Sequence, residues 1–201
     1  MISTEHMEIR SLNLSQVASI YRRHLKKDFV REERKPLAAI AKRLITGGYF
    51  AYGLYENGRL RAYAFFVKEK GIPCLLLDYL AVCARFRGQG YGSVFISFLR
   101  EKLGDWAGIL AEAESPASAA ETAERTTRHR RISFYQNLGF ILTGVSCHVF
   151  GVDYDILYLP LGGSTCSPEY VHAQLMHLYE AQVGKTVVEK MVRFYGPGEE
   201  R

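Results

Sequence analysis

The sequence predicts an α/β domain, and three stretches carry that prediction. Residues 74–103 read as a buried strand, a glycine turn and an amphipathic helix in succession. Asn57-Gly58 stands between two apolar runs, the strongest short hairpin signal. Two helical patterns lie between a first short strand and that hairpin. Together they give the local order β-α-α-β-β-β, then the glycine turn and its helix. At 201 residues with 48% hydrophobic content, the chain can bury a sizeable core in one domain with a small appendage.

Taken in order, residues 7–12 are a short strand. Asn13 or Ser15 can cap a helix whose apolar positions are Val17, Ile20, Tyr21 and Leu25, ending near Asp28. Residues 28–36 are charge-dense and end in Pro36, which suits the first turn of a second helix carrying Leu37, Ile40, Ala41 and Leu44. Gly47-Gly48 stops it. Residues 49–55 and 60–68 form the hairpin. From Cys74 to Ala84 only Asp78 is charged and polarity does not alternate, as in a strand buried on both faces. After the turn, Tyr91, Val94, Phe95, Phe98 and Leu99 fall at helical spacing.

Residues 108–114 read as another strand, with Glu112 and Glu114 on one face. Residues 118–127 read as a loop with the start of a helix, and 125–131 as a basic cluster. Ile132, Tyr135 and Leu138 share a helical face that Gly139 ends. Residues 149–159 read as a strand broken by Asp153 and Asp155. A Gly/Ser/Thr-rich linker over 161–168 divides a domain of residues 1–160 from an extension of residues 161–201. In that extension Ser167-Pro168 opens a helix with Val171, Leu175, Leu178 and Tyr179 on one face, and residues 186–195 read as a last strand. The apolar face of that helix needs a partner surface, on the same chain or on a second copy in a homodimer.

A net charge of +5 and a pI near 9.0 suit acidic ligands and are too mild to argue nucleic acid. No apolar run is long enough to span a membrane. Four widely spaced cysteines without a CxxC read as buried free thiols of a cytoplasmic protein. The histidines show no metal spacing, so no metal is expected.

The run Arg87-Gly88-Gln89-Gly90-Tyr91-Gly92 feeds a helix and offers free backbone N–H groups at the positive end of its dipole, a geometry that binds phosphate. It is not a nucleotide P-loop, because no lysine lies between Lys70 and Lys102. It misses the dinucleotide fingerprint because Ser93 stands where the third glycine belongs. What remains, Arg87-x-x-Gly90-x-Gly92 after Leu80-Ala81-Val82, resembles the pyrophosphate loop of the GNAT (Gcn5-related) N-acetyltransferase superfamily. Phe134-Tyr135-x-x-Leu138-Gly139-Phe140 resembles a second phrase of that family. The resemblance covers roughly residues 7–159. It implies the GNAT fold: a central mixed, mostly antiparallel sheet in the order β-α-α-β-β-β-α-β-α-β-β with flanking helices, here with a C-terminal helix and strand added.

The resemblance also implies an activity, acetyl transfer from acetyl-CoA to a primary amine by direct attack on the thioester, with coenzyme A as product. It places the coenzyme on Leu80, Ala81, Val82, Arg87, Gly88, Gln89, Gly90, Tyr91, Gly92 and Ser93, with Phe134 beside them. The Leu80 N–H becomes the oxyanion donor, and Tyr135 reads either as the acid that protonates the leaving thiolate or as an aromatic packing residue with its hydroxyl satisfied elsewhere. Arg128 replaces an asparagine that contacts pantetheine in many members. Asp78 reads either as a base, being a lone carboxylate on the face of Leu80 and Val82, or as a satisfied structural aspartate. Glu112 is a second base candidate. Glu114, Asp28 and Glu32 are substrate-binding candidates for a small-molecule or peptide amine, against the plainer reading of solvated charges. Residues 125–131 either reach the coenzyme's 3′-phosphate or form an exposed helix face. The alternative to an enzyme is a GNAT-like module that senses acyl-CoA without turnover.

Overall fold

The computed structural model describes residues 4–31, 33–162 and 166–195. Among the described residues the chain divides into two compact units, one drawn from Met1–Lys70 and Leu77–Leu103, the other from Gly71–Leu76 and Gly104–Arg201.

In the first unit β1 (Met7–Ser11), β2 (Tyr49–Glu56), β3 (Arg59–Val67) and the later part of β4 (Cys74–Val82) are neighbours in that order. β1 and β3 flank β2 antiparallel. The Asn57-Gly58 turn has φ of 50° and 72°, the two left-handed residues that a two-residue hairpin requires. Asn13 caps α1 (Leu14–Ile20) in a capping box with Gln16, a device worth about 1 kcal/mol. The helix continues through a π-helical turn, Tyr21–Leu25, into α2 (Lys26–Asp28). Val17, Ile20, Tyr21 and Leu25, the four positions set by the periodicity, are all buried. α3 (Leu37–Ile45) follows Pro36 and buries Ile40.

β4 ends at Val82, two residues before the expected Ala84. A single 3₁₀ turn, Ala84–Phe86, precedes the glycine loop, and α4 (Tyr91–Lys102) follows it. α4 buries Tyr91, Gly92, Phe95, Ile96 and Leu99.

In the second unit β5 (Gly108–Glu114), β7 (Val152–Pro160), β6 (Ile141–Val149) and β8 (Val192–Tyr195) lie in that order and pair antiparallel. α5 (Thr122–Asn137) lies between β5 and β6. The strand expected over residues 149–159 is β7, with Val149 instead the last residue of β6. Gly144 and Ser146 interrupt the apolar pattern of β6 and hide it in the sequence, and Phe150-Gly151, with φ of 49° and 91°, turns the chain back into β7. Asp153 and Asp155 do not break β7. Asp155 accepts from Ser115 (3.0 Å) and Ser146 (2.8 Å), and Asp153 from Tyr195 (2.7 Å).

Ser167 caps α6 (Pro168–Val183), whose Val171, Leu175, Leu178 and Tyr179 are buried, and Gly184 ends it at φ 86°. The strand expected over residues 186–195 is corrected: Lys185–Met191 is a helix, α7, and only Val192–Tyr195 is extended. Thr186, Val187 and Val188 favour strand locally, yet as a helical turn the segment still buries Val188. β8 then pairs with Ser146–Val149 of β6.

Candidate active site

The first unit builds a loop with the features of an anion site. Arg87, Gly88, Gln89 and Gly90 are exposed, bounded by half-buried Phe86 and buried Tyr91. Gly88 and Gly90 take φ of 73° and 87°, a left-handed conformation that costs an ordinary L-residue roughly 1–2 kcal/mol. Gly90 is also the N-cap of α4 and caps it without a side chain, so the helix opens on bare backbone. Its carbonyl takes the Val94 N–H at 3.2 Å. A twelve-residue helix with its N-terminal amides presented this way favours a bound anion. Arg87 leans back: its Nε donates to the Val82 carbonyl (3.1 Å) and its Nη2 meets Asp28 Oδ1 at 2.5 Å.

That contact engages Asp28. Its side chain is only 5% exposed and also accepts from the Tyr63 hydroxyl at 2.9 Å. Asp28 thus ties the loop arginine to the end of the first helix, with its carboxylate engaged by Arg87 and Tyr63. Burial, then the Asp28 charge, pushes the Tyr63 phenol up well beyond its usual range.

Asp78 is engaged through both carboxylate oxygens. Its carboxylate, 7% exposed, accepts from Lys35 Nζ (2.5 Å) and from the Tyr49 hydroxyl (2.5 Å). The backbone beside Lys35 is fastened as well. The Lys35 N–H donates to Tyr79 Oη, Tyr79 donates to the Glu33 carbonyl, and Tyr21 donates to the Lys35 carbonyl, at 2.8–2.9 Å. Residues 33–35 are thus held against β4 two positions before Leu80. Burial and the neighbouring Asp78 raise Tyr49 far above its ordinary value. Leu80, Ala81 and Val82 are half-buried at the end of β4, and Ser93 is exposed on the first turn of α4. Glu32 lies outside the described residues.

In the second unit, Glu112 accepts from the buried Tyr179 hydroxyl at 2.7 Å. Glu114 faces Arg128 (3.4 Å) and Arg131 (3.9 Å). Arg128 also donates to Ser115 and Ser118 and pairs with Glu124, which ties the end of β5 to α5. Of the basic cluster, Arg125, His129, Arg130 and Arg131 are exposed. Tyr135 is half-buried between Phe134 (ring centres 5.6 Å apart) and Phe140 (5.0 Å). Burial pushes its phenol up to about 12, against a smaller lowering by Arg131, so it is protonated at neutral pH. Phe134 is 38% exposed. The Tyr135 carbonyl takes the N–H groups of Leu138 and Phe140, and Gly139 at φ 89° turns the chain out of the helix.

Sequence reading passed over Glu56, Arg61, Tyr63, Lys35 and Tyr49. Only Arg61 carried a signal, as the lone charge in the apolar run from Leu60 to Val67.

Loop, helix N-terminus and strand end together define an α/β protein whose glycine loop has a geometry suited to anions. A sequence model described as the Acetyltransferase (GNAT) family matches residues 16–140. The chain belongs to that family. No curated protein matches the sequence. Solved structures share the fold. The ribosomal-protein-S18-alanine N-acetyltransferase from Escherichia coli is 19% identical over 79% of this chain and 96% of its own, with a TM-score of 0.55. An aminoglycoside 6'-N-acetyltransferase complexed with coenzyme A is 14% identical over 79% and 99%, TM-score 0.57. Mutant forms of the spermidine/spermine N-acetyltransferase from Vibrio cholerae are 10% identical over 83% and 98%, TM-score 0.56. Among the described residues no group of His, Cys, Asp and Glu could hold a metal ion, and no helix is long and apolar enough to cross a membrane.

Proposed function

We propose that the chain is an N-acetyltransferase that takes an acetyl group from acetyl-CoA to a primary amine and releases coenzyme A. The observation that carries this is the exposed Arg87–Gly90 bow with its two left-handed glycines, opening α4 on bare backbone amides. The coenzyme A bound to the aminoglycoside enzyme, and the amine acceptors named for all three relatives, support it. In this reading the pyrophosphate sits on Arg87–Ser93, and the pantetheine arm pairs with Leu80–Val82. The Leu80 N–H polarises the thioester carbonyl. The amine nitrogen attacks that carbon, the C–S bond breaks, and the thiolate takes a proton. The resemblance assigns that proton to Tyr135, whose phenol carries one throughout the neutral range. The free thiols suit a cytoplasmic setting.

The attacking amine must also lose a proton. Asp78, Glu112 and Glu114 are each engaged by Lys35 and Tyr49, by Tyr179, or by Arg128 and Arg131. Their engagement favours water as the acceptor of that proton. The same observation sustains a second reading, a module that binds acyl-CoA without turnover. Thiol release from acetyl-CoA, followed across small amines, peptide N-termini and lysine side chains, separates the two. Release with any acceptor class establishes the transferase. Tight acetyl-CoA binding with no release above the amine-free rate establishes the module, and absence of binding removes both.

A further inference from the structure

We infer that Glu56 and Arg61, at the β2–β3 hairpin, are positioning residues that hold both feet of the coenzyme loop in its binding shape. The inference rests on the acetyl-CoA reading above. Leu54 pairs with Ala62 and Tyr55 with Leu60, which makes Arg61 the extra residue of a β-bulge. Bulges re-aim a side chain out of the ladder. Here Arg61 is turned toward the loop: its guanidinium carbon lies 4.0 Å from the centre of the Phe86 ring and 5.7 Å from that of Tyr91. Its carbonyl, outside the β2 ladder register, takes the Cys83 N–H at 2.8 Å.

Glu56 completes the clamp. It accepts from Arg61 Nη2 (2.6 Å) and Nε (2.9 Å), and its Oε2 also accepts from the Tyr91 hydroxyl (3.0 Å). The Arg61 and Glu56 side chains are 10% and 19% exposed. The rings of Phe86 and Tyr91 meet edge to face with centres 5.6 Å apart. Phe86 ends the turn before the loop and Tyr91 begins the helix after it, so this ring pair closes the base of the bow Arg87–Gly90.

The physical need is plain. A loop with glycines at two of four exposed positions has high conformational entropy, and a ligand that ordered it would lose affinity. Fixing both feet removes that loss before the ligand arrives. The pairing of Glu56 with Arg61 also keeps its negative charge from opposing the phosphates.

The test compares acetyl-CoA affinity by calorimetry with kcat, KM and Tm for Glu56→Ala, Glu56→Gln, Tyr91→Phe and the double variant E56A/Y91F. Glu56→Ala is expected to weaken acetyl-CoA binding about tenfold, as for a lost charge-assisted hydrogen bond, with the effect in KM and kcat nearly kept. Tyr91→Phe should lose several-fold. Glu56→Gln, which still accepts from both partners, should recover much of the loss. The double variant should lose less than the product of the single losses. If Glu56→Ala does not fold, Glu56→Gln and Tyr91→Phe carry the comparison. Folded Glu56→Ala and Tyr91→Phe with wild-type affinity would overturn the inference, as would a fall in Tm with affinity intact. Failure of the wild type to bind acetyl-CoA would instead overturn the coenzyme reading on which the inference stands.

Discussion

Replacing Gly88 by alanine isolates what the loop conformation contributes. A Cβ added there meets nothing within 4 Å, so no clash contributes. What remains is the backbone, held at φ 73°. Placing an L-residue in that region costs roughly 1–2 kcal/mol. The variant can respond in two ways. If the loop keeps its shape, the whole cost appears as lost stability, a fall in Tm of about 2–8 °C for a chain of this size. If the loop relaxes in the free protein, stability is kept and acetyl-CoA must restore the shape, which weakens binding by roughly 5- to 30-fold. The two losses should add to the same 1–2 kcal/mol. Thermal unfolding and titration calorimetry with acetyl-CoA on one preparation give both. Gly88→Asn is the control, because asparagine tolerates the left-handed region, and it should lose less on the combined scale. Wild-type Tm together with wild-type affinity in Gly88→Ala would refute the reasoning.

Gly90→Val should cost more in affinity, because a branched residue at φ 87° also stands between loop and phosphates, while a folded protein survives; calorimetry beside circular dichroism checks both. Tyr135→Phe should lower kcat far more than it weakens acetyl-CoA binding, provided chemistry limits turnover; a steady-state assay on the true acceptor decides, and unchanged kcat reduces Tyr135 to packing. Ending the chain at Leu161 removes α6, α7 and β8, which cover Cys147 and pair with Ser146–Val149, so Tm should fall or the protein aggregate. Sedimentation of both forms shows whether the extension also mediates self-association. Desolvation raises the Glu56 carboxyl, but hydrogen bonds from Arg61 and Tyr91, with the Arg61 and His6 charges, together hold it below its ordinary value. A depressed carboxylate adds stability that is full above its unfolded value and lost as pH falls through the folded one. Wild-type Tm should therefore drop more steeply than that of Glu56→Gln below about pH 4, and parallel curves would dismiss the contribution.

Local chemistry determined much of this protein from sequence. The Asn57-Gly58 hairpin, the Asn13 cap, the Ser167-Pro168 start of α6 and the Gly184 stop each depend on neighbours a few residues away, and each formed as read. The glycine loop was legible for the same reason: a left-handed backbone and a bare helix N-terminus are written in the order of its residues. Strand β6 was not, because its interrupted pattern acquires meaning only beside β7. Nor was α7, where Thr186, Val187 and Val188 favour strand locally and the segment is nonetheless a helix that buries Val188. The carboxylates show the limit most clearly. Asp28, Asp78, Glu112 and Glu114 look alike in sequence as candidates for chemistry, and each is engaged by distant partners: Arg87 and Tyr63, Lys35 and Tyr49, Tyr179, and Arg128. What engages a charge depends on what folding brings within hydrogen-bonding distance, and the partners named here lie 14 to 67 residues away along the chain. Tertiary structure alone decided that, because hydrogen bonds and ion pairs act through space over about 3 Å, whatever the separation in sequence.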